Sequence, residues 1–517
     1  MDDPNAEVRR RSSGNNNPFL RPSGDLCPIN RIPVEILSRL FELVAADILD
    51  KVCLWRDQQS YDSESDDEHD VPTPWLPVSQ VCRHWYDVAA STPSLWTNVI
   101  IPPFLCSSFY RIEKQLERSK DLPLDIRIYL EGVVISYSDE FPSSYIPSFC
   151  DLLLTQVARW GSVEVRSDLG DDVLKIFDAL FKTPIPTASQ LTSVELACPD
   201  DLTGFLSRHA SLSKDFVLFR SSAPHLKTVS VTGIIIDWNQ PWISSATNLT
   251  TLKLVYYGEH QCISWVDFAT ILCGALHLQV LIFENRRFGD VDPAWADPNL
   301  GDVPEHDGMI PIKLPELRQL DIYLQIPMMI QLLRRCYMPA LTKLTIRPHY
   351  QYLGGINEIE VLIAQLIGPV SHCRFPEIGL PLIQRQSRSL LAGIQHLDIR
   401  FFSRLSTDSI DSLYGNLKQL TSLTLLNIEG FAFIDLLFTP TGQLYDVKLP
   451  RLTALSVLHS RLVDHRVRDI CALAWQRKDI GVPLKKLILG GGELSHGKFP
   501  NDCLLWCREN LETFYFR

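Results

Sequence analysis

The sequence predicts an α/β protein in which a short all-helical module precedes a long array of strand–helix units. Three observations carry this prediction. Hydrophobic residues make up 45% of the 517 positions, enough to fill an extended buried core. From Leu95 onward, short segments with apolar residues at alternate positions keep returning, which is the period of a strand. Between them lie stretches whose apolar residues recur every three to four positions, which is the period of a helix.

Charge and cysteine usage narrow the function classes. The net charge of −12 supplies no overall field to hold nucleic-acid phosphates or an anionic membrane, so neither is an expected partner. The first 28 residues lack the apolar stretch of a secretory signal, and no run approaches the roughly 20 apolar residues of a membrane span. An intracellular protein of the cytoplasm or nucleus is expected. The 13 cysteines show no paired short spacings and read as free thiols, with no metal and no cofactor expected.

Residues 1–28 are polar, rich in Asn, Ser and Arg, and read as a disordered tail. Residues 29–100 read as a helical domain. Pro33 stands where a first helical residue belongs, and Ile36, Leu37, Leu40, Phe41 and Val44 follow at helical spacing. Val81, Trp85 and Val88 mark a second helix that Ser91-Thr92-Pro93 ends, and Leu95-Trp96 follow as a bulky pair. Between the helices an acidic loop insertion over 50–74 packs six carboxylates into Asp62–Asp70, a self-repelling run that stays solvated. Ser63 and Ser65 each have an acidic residue three positions on, which makes them candidate sites for an acidophilic kinase.

At these residues the sequence resembles the F-box, whose Leu-Pro-x-Glu-Ile-Leu helix reads here Ile32-Pro33-Val34-Glu35-Ile36-Leu37. The family's Val-Cys-x-x-Trp helix reads Val81-Cys82-Arg83-His84-Trp85, and its late Leu-Trp reads Leu95-Trp96. Ile32 in place of Leu and the long insertion depart from the common pattern, and such insertions are similar to those of fungal F-box-like proteins. The resemblance implies a three-helix docking module for the Skp-type adaptor of cullin–RING ubiquitin ligases. It assigns Ile32, Pro33, Ile36, Leu37, Leu40, Val81, Cys82, Trp85, Leu95 and Trp96 to adaptor binding. Pro33 and Leu37 are expected at the interface itself, and Trp85 in the module's core.

Residues 101–190 read as irregular first repeats and 191–517 as the regular array. Aligning the leading apolar residue of each strand segment picks out Leu226, Leu249, Leu278, Leu317, Leu341, Ile394, Leu420, Leu452, Leu484 and Leu511. Their spacings are 23, 29, 39, 24, 53, 26, 32, 32 and 27 residues, mostly in or just above the roughly 20–29 of leucine-rich repeats. The gap of 53 is expected to hide a degenerate unit near 357–380. A lone unit cannot bury its apolar side, so the units stack into a solenoid whose strands form a curved parallel sheet. Leucines then point into the core, and the residues between them face an inner wall. That wall displays Ser230, Lys253, Ile282, Asp321, Tyr323, Thr345, Arg347, Asp398, Arg400, Thr424, Ser456 and Ile488. Lys253, Asp321, Tyr323, Arg347, Asp398 and Arg400 are its candidate target-binding residues. Two acidic or aromatic insertions, over 285–311 and 347–358, read as loops.

No catalytic constellation stands out. Gly492 to Lys498 has the spacing of a phosphate-binding loop, but Phe499 occupies the place of the required hydroxyl. The expectation is a non-catalytic substrate receptor of a Skp–cullin–F-box ubiquitin ligase that binds a target protein with its repeats. A non-degradative scaffold and, more remotely, a nucleotide-dependent enzyme are the alternatives.

Overall fold

The computed structural model describes residues 32–58, 74–101, 109–130, 145–167, 188–198, 222–257 without 235 and 237, 263–285, 295, 312–349, 356–368, 389–428 without 403–404, 432–438, 447–458, 464–490 and 501–516. The tail, the acidic run with Ser63 and Ser65, and the Gly492–Lys498 segment lie outside them. The chain divides into two compact units, Met1–Val194 and Glu195–Arg517.

The first unit opens with α1 (Val34–Gln58), α2 (Leu76–Ser79), α3 (Arg83–Ser91) and a 3-10 turn at Pro93–Trp96. Pro33 sits just ahead of α1, and its carbonyl accepts the first helical bond from the Leu37 N–H, 3.0 Å. The helix continues to Gln58, eight residues past the expected start of the insertion. No Gly or Pro interrupts that stretch, and Asp47 pairs with Lys51 one turn on at 2.7 Å. The expected second helix is broken: Val81 falls between α2 and α3, and extended Cys82 precedes α3. Strands β1 (Asn98–Ile101), β2 (Leu124–Leu130) and β3 (Trp160–Ser167) follow, with helices α4 (Phe109–Arg118) and α5 (Tyr145–Leu154) between them, and β4 (Ser193–Ala197) begins at the end of this unit.

The second unit continues with β5 (Thr228–Thr232), α6 (Pro241–Ser244), β6 (Thr251–Tyr256), α7 (Trp265–Gly274), β7 (Val280–Asn285), β8 (Ile312–Lys313), β9 (Gln319–Leu324), α8 (Ile326–Arg335), β10 (Cys336–Tyr337) and β11 (Lys343–Pro348). Next come α9 (Ile356–Ile367), β12 (His396–Arg400), α10 (Thr407–Asn416), β13 (Ser422–Leu426), α11 (Ala432–Asp435), β14 (Ala454–Leu458), α12 (Asp464–Asp479), β15 (Lys486–Gly490), α13 (Asn501–Asn510) and β16 (Thr513–Phe516). Short β8 and β10 pair with each other; the other fourteen strands form one sheet in chain order. The alternating apolar segments that recur from Leu95 onward supply these strands. Parallel neighbours need a long crossover between them, which the intervening helices provide.

The leading residues from Leu226 to Leu484 are buried, as are strand residues such as Leu252, Leu281, Leu320, Leu344 and Leu487, at 0% exposure. Each such side chain contributes about 1.5–3 kcal/mol of burial. Leu511 is half-buried. The expected hidden unit is corrected: β11 pairs directly with β12, Thr345 opposite Asp398, and 356–367 is helix. The insertion after β7 contributes one described residue, Trp295, to the core. Trp295 is wholly buried against Trp265, Phe268 and Phe283, at centroid distances of 4.8, 5.5 and 5.6 Å, and donates to the Ile263 carbonyl at 2.9 Å. Among the described residues no helix is long and apolar enough to cross a membrane.

Candidate functional site

Two surfaces are candidates, one in each unit. The first lies on α1. Leu37, Phe41 and Ala45, spaced four apart, face inward and join Val78, Val88, Ala89, Leu95 and Trp96 in a core, with Ile32, Trp75 and Trp85 packed against it. Phe41 meets Trp85 at 4.9 Å between centroids, and Trp75 meets Trp96 at 4.5 Å. The Trp96 indole donates to the Ala89 carbonyl at 2.8 Å, and the Arg118 guanidinium of α4 lies 4.4 Å from its ring. Trp96 is thereby satisfied on its polar edge and covered on its face. Ser94 donates to Glu42 at 2.6 Å, and with Arg39 this holds the Glu42 carboxyl below its usual value.

With that core filled, α1 still carries apolar side chains elsewhere. Ile36, Leu40, Leu43 and Val44 stand at i, i+4, i+7 and i+8, one continuous stripe, and are 42–55% exposed. Val81 and Leu76, also exposed, belong to the same helical module.

The ten residues assigned by the F-box resemblance therefore separate. Pro33, Ile36, Leu40 and Val81 are exposed; Ile32, Cys82 and Trp85 are half-buried; Leu37, Leu95 and Trp96 are in the core. Leu37 is a correction, since at 1% exposure it offers no surface to a partner. A helix turns about 100° per residue, which puts Leu37 on the inner face one step from outward Ile36. Leu95 and Trp96 are corrected likewise, because the 3-10 turn folds them under α1 and α3. Leu43, missed as a candidate, extends the stripe; its position three beyond Leu40 was the available signal.

The second surface is the sheet face opposite the leucines. One register row joins Ser230, Lys253, Ile282, Asp321, Thr345, Asp398, Thr424, Ser456 and Ile488 across neighbouring strands. Two residues on, Glu284, Tyr323 and Arg347 form the next row. The row is less open than a solvated wall: Ser230, Asp321 and Thr345 are buried. Arg347 donates to Asp321 at 2.9 Å and to Glu284 at 3.5 Å, and Arg400 doubles back on Asp398 at 2.7 Å. Strands sit about 4.8 Å apart, so a guanidinium on one reaches carboxylates on the next two and closes over them. Burial pushes the Asp321 carboxyl above its ordinary value and Arg347 pulls it back; the Asp398 hydrogen bond raises Arg400. Tyr323 stacks on His349 with centroids 5.4 Å apart. Lys253, Tyr323, Arg347, Asp398 and Arg400 remain half-exposed.

A matching cluster in the first unit was missed because the aligned list began at Ser230. Glu164 accepts from Arg166 at 2.6 Å and from the Tyr129 hydroxyl at 3.0 Å, and Ser162 donates to Asp125 at 2.6 Å. The alternate positions of LPLDIRIYL and GSVEVRS already contained it. Among the described residues no group of His, Cys, Asp and Glu is placed to hold a metal ion.

Fold and surfaces together define a strand–helix repeat protein with a helical N-terminal module that bears an open apolar stripe. No family profile and no curated protein matches the chain. Among solved structures it is similar to the leucine-rich repeat-containing protein LegL7 from Legionella pneumophila, at 12% identity and a TM-score of 0.31, over 65% of this chain and 94% of that one.

Proposed function

We propose that this chain is a non-catalytic receptor subunit of a Skp–cullin–F-box type ubiquitin ligase. The α1 stripe docks the adaptor, and the charged sheet face holds a target protein. The observation that supports this reading most is the stripe Ile36, Leu40, Leu43 and Val44 left bare above a completed core. Exposed contiguous apolar surface of this kind marks a protein contact. The half-exposed Tyr323, Arg347 and Arg400 supply residue types that carry interface energy. Catalysis by the ligase would then be proximity, with the receptor raising the effective concentration of the target.

The test is co-purification of the full chain with a Skp-type adaptor, comparing wild type with Ile36→Asp/Leu40→Asp. Both positions are exposed, so the double variant keeps its fold and is expected to lose binding. A folded wild type that fails to bind the adaptor removes the ligase reading.

A further inference from the structure

The sheet face opposite the leucines changes character after β12. From β7 to β11 it is closed by its own ion pairs, with Arg347 lying over Asp321 and Glu284. On β13 and β14 the outward residues carry no charge: Ser422, Thr424 and Leu426 stand beside Ala454, Ser456 and Leu458, all six half-exposed. Longer side chains flank them, His396 and Arg400 on β12 and Lys486 and Ile488 on β15. Neighbouring strands lie about 4.8 Å apart, so these flanks, three steps apart, bound a trough roughly 14 Å wide that runs along β13 and β14.

The two ends of the trough differ. At the strand entry, the register row of Ser422 and Ala454 continues to His396 and Lys343 on one side and to Lys486 on the other, and these three are exposed. The carboxylates beside them are already engaged, Asp398 by Arg400 at 2.7 Å and Glu512 by Lys485 at 2.9 Å. Among the described residues neither Lys343 nor Lys486 pairs with an acidic group, so a chain of net charge −12 presents unneutralised cations here. Four residues further along the strands, about 13 Å away, Leu426 and Leu458 form an apolar end, with Ile488 on the flank. The hydroxyls of Thr424 and Ser456 lie between the two ends.

We propose that this trough is where the sheet face takes its target, and that the occupant is an extended protein segment, acidic at one end and bulky and apolar at the other. The length of the trough matches about four to five extended residues. The acidic end is drawn to Lys343 and Lys486, and the apolar end covers Leu426, Leu458 and Ile488. Thr424 and Ser456 offer hydrogen bonds to the backbone between. This inference rests on the reading of the sheet face as a target surface and is independent of the adaptor contact on α1.

The experiment selects random peptides displayed on phage against the immobilised full chain. Enriched peptides are expected to carry Asp or Glu about three to four positions from Leu, Ile or Phe. A labelled peptide made from them should bind Lys343→Glu/Lys486→Glu about tenfold more weakly than wild type. Both lysines are exposed, so an unchanged urea midpoint shows that this variant is folded. Ser456→Trp, which fills the floor of the trough, should weaken binding as well. Ile36→Asp/Leu40→Asp should bind the peptide as wild type does, so failure of the target site and failure of adaptor docking read out separately. No enrichment, enriched peptides without acidic residues, or an affinity that survives both trough variants overturns the proposal. So does preference for a single-stranded RNA oligonucleotide that the double lysine variant loses, since the cations would then serve phosphates.

Discussion

Helices α1 and α8 are similarly rich in apolar residues and end up in opposite circumstances. Of the ten residues of α8, seven are buried, including Ile326, Met328, Met329, Ile330, Leu332 and Leu333. On α1, Leu37, Phe41 and Ala45 are buried, while Ile36, Leu40, Leu43 and Val44 are exposed. The difference lies in neighbours. A helix inside a repeat array is covered by its own strand and by the helices stacked beside it, here α9. A three-helix module has no such flank, so one apolar face of α1 is left over. Surplus apolarity is thus structural in the array and available for a partner in the module.

The largest expected effect comes from breaking the array at buried Trp295. Trp295→Ala should cost about 3–5 kcal/mol by removing the centre of an aromatic cluster, read as a lowered urea midpoint. Unchanged stability would mean that Trp295 is no part of the core. Next, the two faces of α1 can be separated directly. Leu37→Ala should cost about 2–5 kcal/mol, whereas Leu40→Ala should stay within about 0.5 kcal/mol yet weaken adaptor capture. Equal destabilisation by both would erase the contrast.

Arg347→Met tests whether the sheet face is held by its ion pairs. Leaving Asp321 buried and unpaired should cost about 2 kcal/mol, less than the ~3–5 of a fully buried pair because both side chains keep some exposure. Burial already holds the Asp321 carboxyl above its ordinary value, and loss of Arg347 raises it further. The penalty is therefore full where Asp321 must be charged, near neutral pH, and shrinks as pH falls through the raised value. Denaturation at several pH values measures it.

The smallest effect concerns the start of α10. Glu360 accepts from the Ser409 hydroxyl and from the Ser406 N–H, the latter at 3.0 Å, and these bonds hold its carboxyl below the usual value. Such a group stabilises above its unfolded value, and the contribution is lost as pH falls through the depressed one. Glu360→Gln should cost about 1 kcal/mol at neutral pH and nothing in strong acid, visible as faster amide exchange at Ser406, whose N–H donates to Glu360.

How legible all this was in the sequence differs by element. Strands such as Leu252-Lys253-Leu254 and Leu320-Asp321-Ile322 announce themselves through alternation. Helix α10 is harder to read, because Ser and Asp dilute its apolar pattern; its sign in the sequence is Ser406, which caps it by accepting from the Ser409 N–H at 3.2 Å. On the candidate surfaces, residue types were readable but their neighbours were not. Arg347 facing Glu284, 63 residues away, is visible only once the strands between them are in register.

By itself the sequence determined where the recurring strands lie and which side of them turns to the core, because both follow from a backbone periodicity of two residues. Only the tertiary structure decided that Leu37 goes inward while Ile36 and Leu40 stay out, that Trp295 returns to the core, and that Arg347 closes over Asp321. Those outcomes depend on which distant segments arrive alongside, and apolarity or charge in a local stretch carries no record of that.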